Sequence, residues 1–97
     1  MESSTDRRLH DRDATDARLE IEWTGFDGVR QSREGLAVDS STHGLSGVFP
    51  DSPTIGQIVA IEFPDLEIFG VGVIRDSTPI DEGFLIGIAL IGNLQEP

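Results

Sequence analysis

From Ala17 onward, apolar and polar residues alternate with a period of two, the pattern of a β-strand with one buried face. Ala17, Leu19, Ile21 and Trp23 fall on one side, and Arg18, Glu20, Glu22 and Thr24 on the other. Gly25-Phe26-Asp27-Gly28 then supplies a turn, its Asp-Gly pair tolerating positive φ. A second strand is predicted over 29–38, with a break near Arg33-Glu34-Gly35, and a short third strand over 45–49. Pro50-Asp51-Ser52-Pro53 forces a loop, because neither proline can donate to a ladder. Further strands are predicted over 57–63, 66–75 and 84–91, separated by Pro64-Asp65 and by a polar turn region over 76–83. No helical period is sustained anywhere. Six short strands with frequent turn signals predict an all-β fold, an antiparallel barrel or sandwich.

The last strands carry a second message. Phe84, Ile86, Ile88 and Leu90 oppose Leu85, Ala89 and Ile91, so this segment is apolar on both faces. A strand of that kind needs a cover on its outer side. After Ile91 only Gly92-Asn93-Leu94-Gln95-Glu96-Pro97 remains, too short for a packing helix. The expected cover is therefore a second copy of the chain or a partner protein.

Length and composition narrow the function classes. A chain of 97 residues suits one domain. Residues 1–16 are polar and charged and are expected to form a flexible arm, with the folded body over 17–97. There is no cysteine, hence neither a disulfide framework nor a thiolate metal site. The opening residues lack the apolar core of a secretory signal, and the apolar stretches are strand-sized and broken by glycine. A cytoplasmic protein without a membrane-spanning helix is expected. The formal charge is −11, with no lysine and all positive charge on arginine. That balance excludes nonspecific duplex nucleic-acid binding, which needs a basic face. An anionic ligand would have to be held locally, against the overall field, which decays over roughly 8 Å at physiological salt.

Arginine is concentrated where such a ligand could be met. Arg7, Arg8, Arg12 and Arg18 lie in the first fifth of the chain, interleaved with Asp6, Asp11, Asp13 and Asp16. Arg8 and Arg12 form an RxxxR pattern, and downstream Asp39-Ser40-Ser41-Thr42-His43-Gly44 contains DxSxxG. The forked guanidinium can meet paired acceptors, whether phosphate oxygens or guanine N7 and O6, with two hydrogen bonds at once. A carboxylate accepts from guanine N1 and N2, a hydroxyl donates or accepts beside it, and glycine permits positive φ or close backbone approach. An Asx- or Ser-type turn closing a hairpin is the structural alternative for Asp39 and Ser41.

These two motifs, in this order ahead of β-type segments, resemble the ligand-reading half of a PilZ domain, the bacterial receptor module for cyclic di-GMP. The resemblance spans about residues 7–91. It implies a six-stranded antiparallel PilZ-like β-barrel, with the family's C-terminal helix short or absent here. It further implies non-catalytic binding of cyclic di-GMP through Arg7, Arg8, Arg12, Asp39, Ser41 and Gly44. Arg7, just ahead of the first motif arginine, is similar to arrangements that hold two intercalated ligand molecules. Ordering of the arm on binding would then signal to a downstream protein.

A second register is open. Family members often continue the second motif as Gly-Gly and aliphatic residues, and Leu45-Ser46-Gly47-Val48-Phe49 resembles that continuation displaced by three residues. The motif positions would then be Thr42, Gly44 and Gly47, carboxylate and hydroxyl would both be lost, and an adaptor that ignores nucleotide would result. His10 and His43 are read as exposed turn histidines and Trp23 as a core residue. No metal-ligand spacing, nucleophile elbow, phosphate loop or thiol nucleophile occurs, so neither an enzyme nor a metal protein is expected.

Overall fold

The computed structural model describes residues 17–41 and 43–95. They form a strand-only structure: β1 (Arg18–Thr24), β2 (Arg30–Ser40), β3 (Gly44–Phe49), β4 (Ile58–Phe63), β5 (Ile68–Ile80) and β6 (Gly83–Gln95). The six strands close into an antiparallel barrel in the order β1-β2-β3-β6-β5-β4, with β1 paired to both β2 and β4. Closure pairs both sides of the wall around the barrel, which removes most of the sheet edge that would otherwise recruit other chains. The expected all-β, six-stranded antiparallel barrel is therefore what forms, and the described residues contain no helix.

Alternation becomes an inside and an outside. Leu19 and Ile21 of β1, Val59, Ile61 and Phe63 of β4, and Ile86 and Ile88 of β6 are buried in one cluster. Trp23 packs against that cluster from a partly buried position, as read from its strand. The interior of so small a barrel is crowded, and glycines take several inward positions. A Cβ on Gly47 would lie 3.1 Å from Leu19 Cδ2 and 3.2 Å from Phe49 Cε1. No buried polar or charged residue occurs among the described residues, so the core rests on apolar packing.

Three expectations are corrected. β2 runs unbroken through Arg33-Glu34-Gly35, because that segment pairs in register with Leu19, Glu20 and Ile21. The polar stretch 76–83 is mostly strand: β5 runs on along β6, pairing Asp76 with Gly87 and Ile80 with Gly83, while β3 holds the other side of β6. Only Asp81 and Glu82 turn. Pro79 is tolerated there because β4 pairs with β5 only as far as Val73, which leaves that edge of β5 without a ladder to feed. Finally, β6 reaches Gln95, four residues past the expected end at Ile91.

The outer face of β4, β5 and β6 carries an exposed apolar band. Ile58, Phe69, Val71 and Ile91 are 57%, 46%, 43% and 50% accessible. Val71 sits directly opposite Ile91, and Ile58 opposite Val73, so the band is contiguous across three strands. This is the surface for which the two-faced apolar segment predicts a cover.

Candidate functional site

Two β-bulges shape one part of the barrel wall. The β2–β3 register shifts between Ala37 and Asp39, and the β5–β6 register shifts between Ile74 and Asp76. Val38 and Arg75 are thus extra residues in their strands, and each bulge re-aims the side chains beyond it. Past the bulges, Asp39 pairs with Ser46, Ser46 with Gly87, and Gly87 with Asp76. A single row therefore crosses four strands with carboxylates at its two ends and small residues in the middle.

Around this row lies an open hollow of about 360 Å³. Gly44, Ser46, Gly87 and Ala89 make a floor of small residues. Asp39, Ser41 and His43 stand on one side, and Arg75 and Asp76 on the other. The floor stays low for steric reasons. A Cβ on Gly87 would sit 2.7 Å from Asp76 Oδ1, and one on Gly44 would sit 2.8 Å from the Ile88 carbonyl oxygen.

The structure brings Asp39, Ser41 and Gly44 together but gives them different tasks. Ser41 N–H donates to the Gly44 carbonyl at 2.8 Å, and its hydroxyl donates to the same oxygen at 3.3 Å. The hydroxyl also accepts from His43 N–H at 3.4 Å. Ser41 thus closes the hairpin as a Ser-type turn. Asp39 does not share that work: its exposed carboxylate has no hydrogen bond or ion pair among the described residues. Gly44 is needed for close approach to β6, and its φ is not positive.

In the second register, Gly47 points inward against Leu19 and Phe49 and is buried, on the opposite side of β3 from the hollow. Gly44 alone of that set lines the hollow, and Thr42 lies outside the described residues. Arg7, Arg8, Arg12 and His10 also lie outside them.

Arg75 escaped sequence reasoning. It belongs to no motif and stands at the predicted end of a strand. Its signal was the adjacent polar pair Arg75-Asp76, which interrupts the inward series Ile68, Gly70, Gly72, Ile74. Of the arginines described, Arg18 pairs with Glu34 and Asp65, Arg30 with Glu22, and Arg33 with Asp51. Arg75 has no ion pair among the described residues.

Other hollows suit an anion less well. One of about 450 Å³ is lined by Glu20, Glu22 and Glu62 beside Phe69, a set that repels phosphate. Another contains Trp23 and Arg33, but that guanidinium already donates to Asp51 at 2.7 Å and lies 5.5 Å from the indole centroid. Among the described residues no group of three or more His, Cys, Asp or Glu could hold a metal ion. No family model, no curated protein and no solved structure matches this chain.

Proposed function

We propose that the protein is a non-catalytic, cytoplasmic receptor for cyclic di-GMP, reading the nucleotide at the hollow between β2 and β5. The observation that carries the reading is the Asp39 carboxylate, exposed and without a described partner at the rim of a floor of small residues. A carboxylate so placed accepts from guanine N1 and N2, an edge that adenine does not offer. The RxxxR segment supplies what the wall lacks. Asp39, Arg75 and Asp76 leave the hollow one negative charge in excess, unfit by itself for a dianionic ligand. In that segment Arg7, Arg8 and Arg12 outweigh Asp11 by two charges, which turns the balance of the site to one positive charge. The arm's folding over the ligand is the signalling step, a change in the surface offered to a downstream protein.

A second reading is an adaptor that docks on a protein and ignores nucleotide. The exposed apolar band and the engagement of the Ser41 hydroxyl within its own turn favour it. Calorimetric titration separates the two readings. Saturable heat with cyclic di-GMP and none with cyclic di-AMP is expected, weakening as salt rises because phosphate contacts are screened. Absence of heat at millimolar ligand would leave the adaptor.

The band bears on assembly under either reading. In sedimentation velocity the protein is expected to show a concentration-dependent monomer–dimer equilibrium, abolished by Val71→Glu. A clean monomer over a hundredfold concentration range would remove the homodimer and leave the band to a different protein.

A further inference from the structure

We infer that Arg75 is a ligand-binding residue of this site, holding a phosphodiester from the barrel wall opposite Asp39. The inference rests on the nucleotide reading of the hollow and assigns a role to a residue outside both sequence motifs. Four observations converge on it. Arg75 is the inserted residue of a β-bulge, a device that re-aims a side chain. It is exposed and lines the same hollow as Asp39, Ser41 and His43. Alone of the four arginines described, it lacks an ion pair with a described residue. Across the hollow, the paired row Asp39–Ser46–Gly87–Asp76 spans three strand spacings, roughly 14 Å.

That width decides which part of the ligand Arg75 meets. With guanine's N1 and N2 edge on Asp39, the purine lies over Ser46 and Gly87, and its sugar leaves from the far side, toward β5. The sugar's phosphodiester then comes within reach of a long side chain rooted at the β5 bulge. A guanidinium there faces an anion with which it makes charge-assisted hydrogen bonds. It also offsets Asp76, whose carboxylate overhangs Gly87 and would otherwise repel the phosphate.

The test is calorimetry with cyclic di-GMP on the full chain and on Arg75→Ala, Arg75→Lys and Asp39→Ala. Arg75→Ala is expected to weaken binding about 10- to 100-fold, the range for charge-assisted hydrogen bonds. Arg75→Lys is expected to recover most of that loss, because a phosphate accepts a point charge. It should also retain the salt dependence that Arg75→Ala reduces. Unchanged binding in Arg75→Ala beside a large loss in Asp39→Ala would overturn the role of Arg75 and leave the receptor reading standing. A loss of affinity in Arg75→Ala with the salt dependence of the unaltered chain left intact would overturn the phosphate assignment, since removing a phosphate contact must flatten that dependence. Failure of the unaltered chain to bind would overturn the receptor reading itself. Thermal unfolding checks that the variants fold, and an exposed side chain without a described partner should shift the midpoint by no more than about 4 °C.

Discussion

Replacing Asp39 by alanine is expected to weaken cyclic di-GMP binding by about a hundredfold or more while leaving the melting temperature within about 4 °C of the unaltered protein. The magnitude comes from two lost charge-assisted hydrogen bonds, each of about 1.5–3 kcal/mol. The neutrality toward folding comes from the structure. The Asp39 carboxylate is exposed and supports no described hydrogen bond, so its removal leaves no buried group unsatisfied. Neither of the other second-motif residues offers so clean a probe. Ser41→Ala would delete the hydroxyl that both donates to Gly44 and accepts from His43. Gly44→Ala would push a Cβ to 2.8 Å from the Ile88 carbonyl oxygen, so lost binding would report a displaced hairpin. The ligand can be altered as well as the protein. A cyclic dinucleotide carrying hypoxanthine lacks the N2 donor and should bind the unaltered chain less tightly than cyclic di-GMP. With Asp39→Ala the two ligands should bind alike, because the acceptor that told them apart is gone. Equal discrimination by both proteins would show that Asp39 does not read the base.

Much of the barrel was legible because its walls obey one simple rule. The alternation at Leu19, Ile21 and Trp23 is the alternation of the finished core, and Pro50 to Pro53 breaks the chain as proline chemistry demands. The extension of β5 beyond Ile74 was illegible for an equally physical reason. Asp76-Ser77-Thr78-Pro79 has the composition of a turn, and it forms a strand because Phe84, Leu85, Ile86 and Gly87 present a ladder to it. Composition reports local preference, whereas that pairing is supplied by another segment. The break expected at Arg33-Glu34-Gly35 failed likewise, since register with β1 holds the strand straight through it. At the site, DxSxxG identified three residues that line a common hollow but could not divide their work. That Ser41 closes the turn while Asp39 stays uncommitted depends on hydrogen bonds between residues two and three apart. Arg75 was invisible because bulges leave only a faint trace, here two polar neighbours where one alternating position was due.

Gly35→Ala is expected to destabilise the fold by about 3 kcal/mol, lowering the melting temperature by about 12–24 °C. Gly35 sits on β2 opposite Leu19, where the wall passes close to β3 and to the Phe49 ring. A Cβ there would collide with the Val48 carbonyl oxygen and lie 2.7 Å from Phe49 Cδ2. Neither neighbour can yield cheaply. Val48 is paired to both Leu36 and Leu85, and Phe49 is 1% accessible, walled in by the core. Gly28→Ala provides the control, because it changes the same atoms for a different reason. Gly28 has φ of 80° with nothing within 4 Å of the added carbon, so only backbone strain opposes it. That strain costs about 1 kcal/mol, a melting shift of about 4–8 °C. If the two variants melted together, the close packing of β2 on β3 would be wrong, and with it the wall that holds Asp39 over the hollow. Against the usual range of about 5–15 kcal/mol, the larger effect takes up a substantial share of a domain's stability. The same closeness sets the site: the tightly packed stretch through Gly35 and Ala37 anchors the strand just before the bulge at Val38, leaving Asp39 the first residue free to face a ligand.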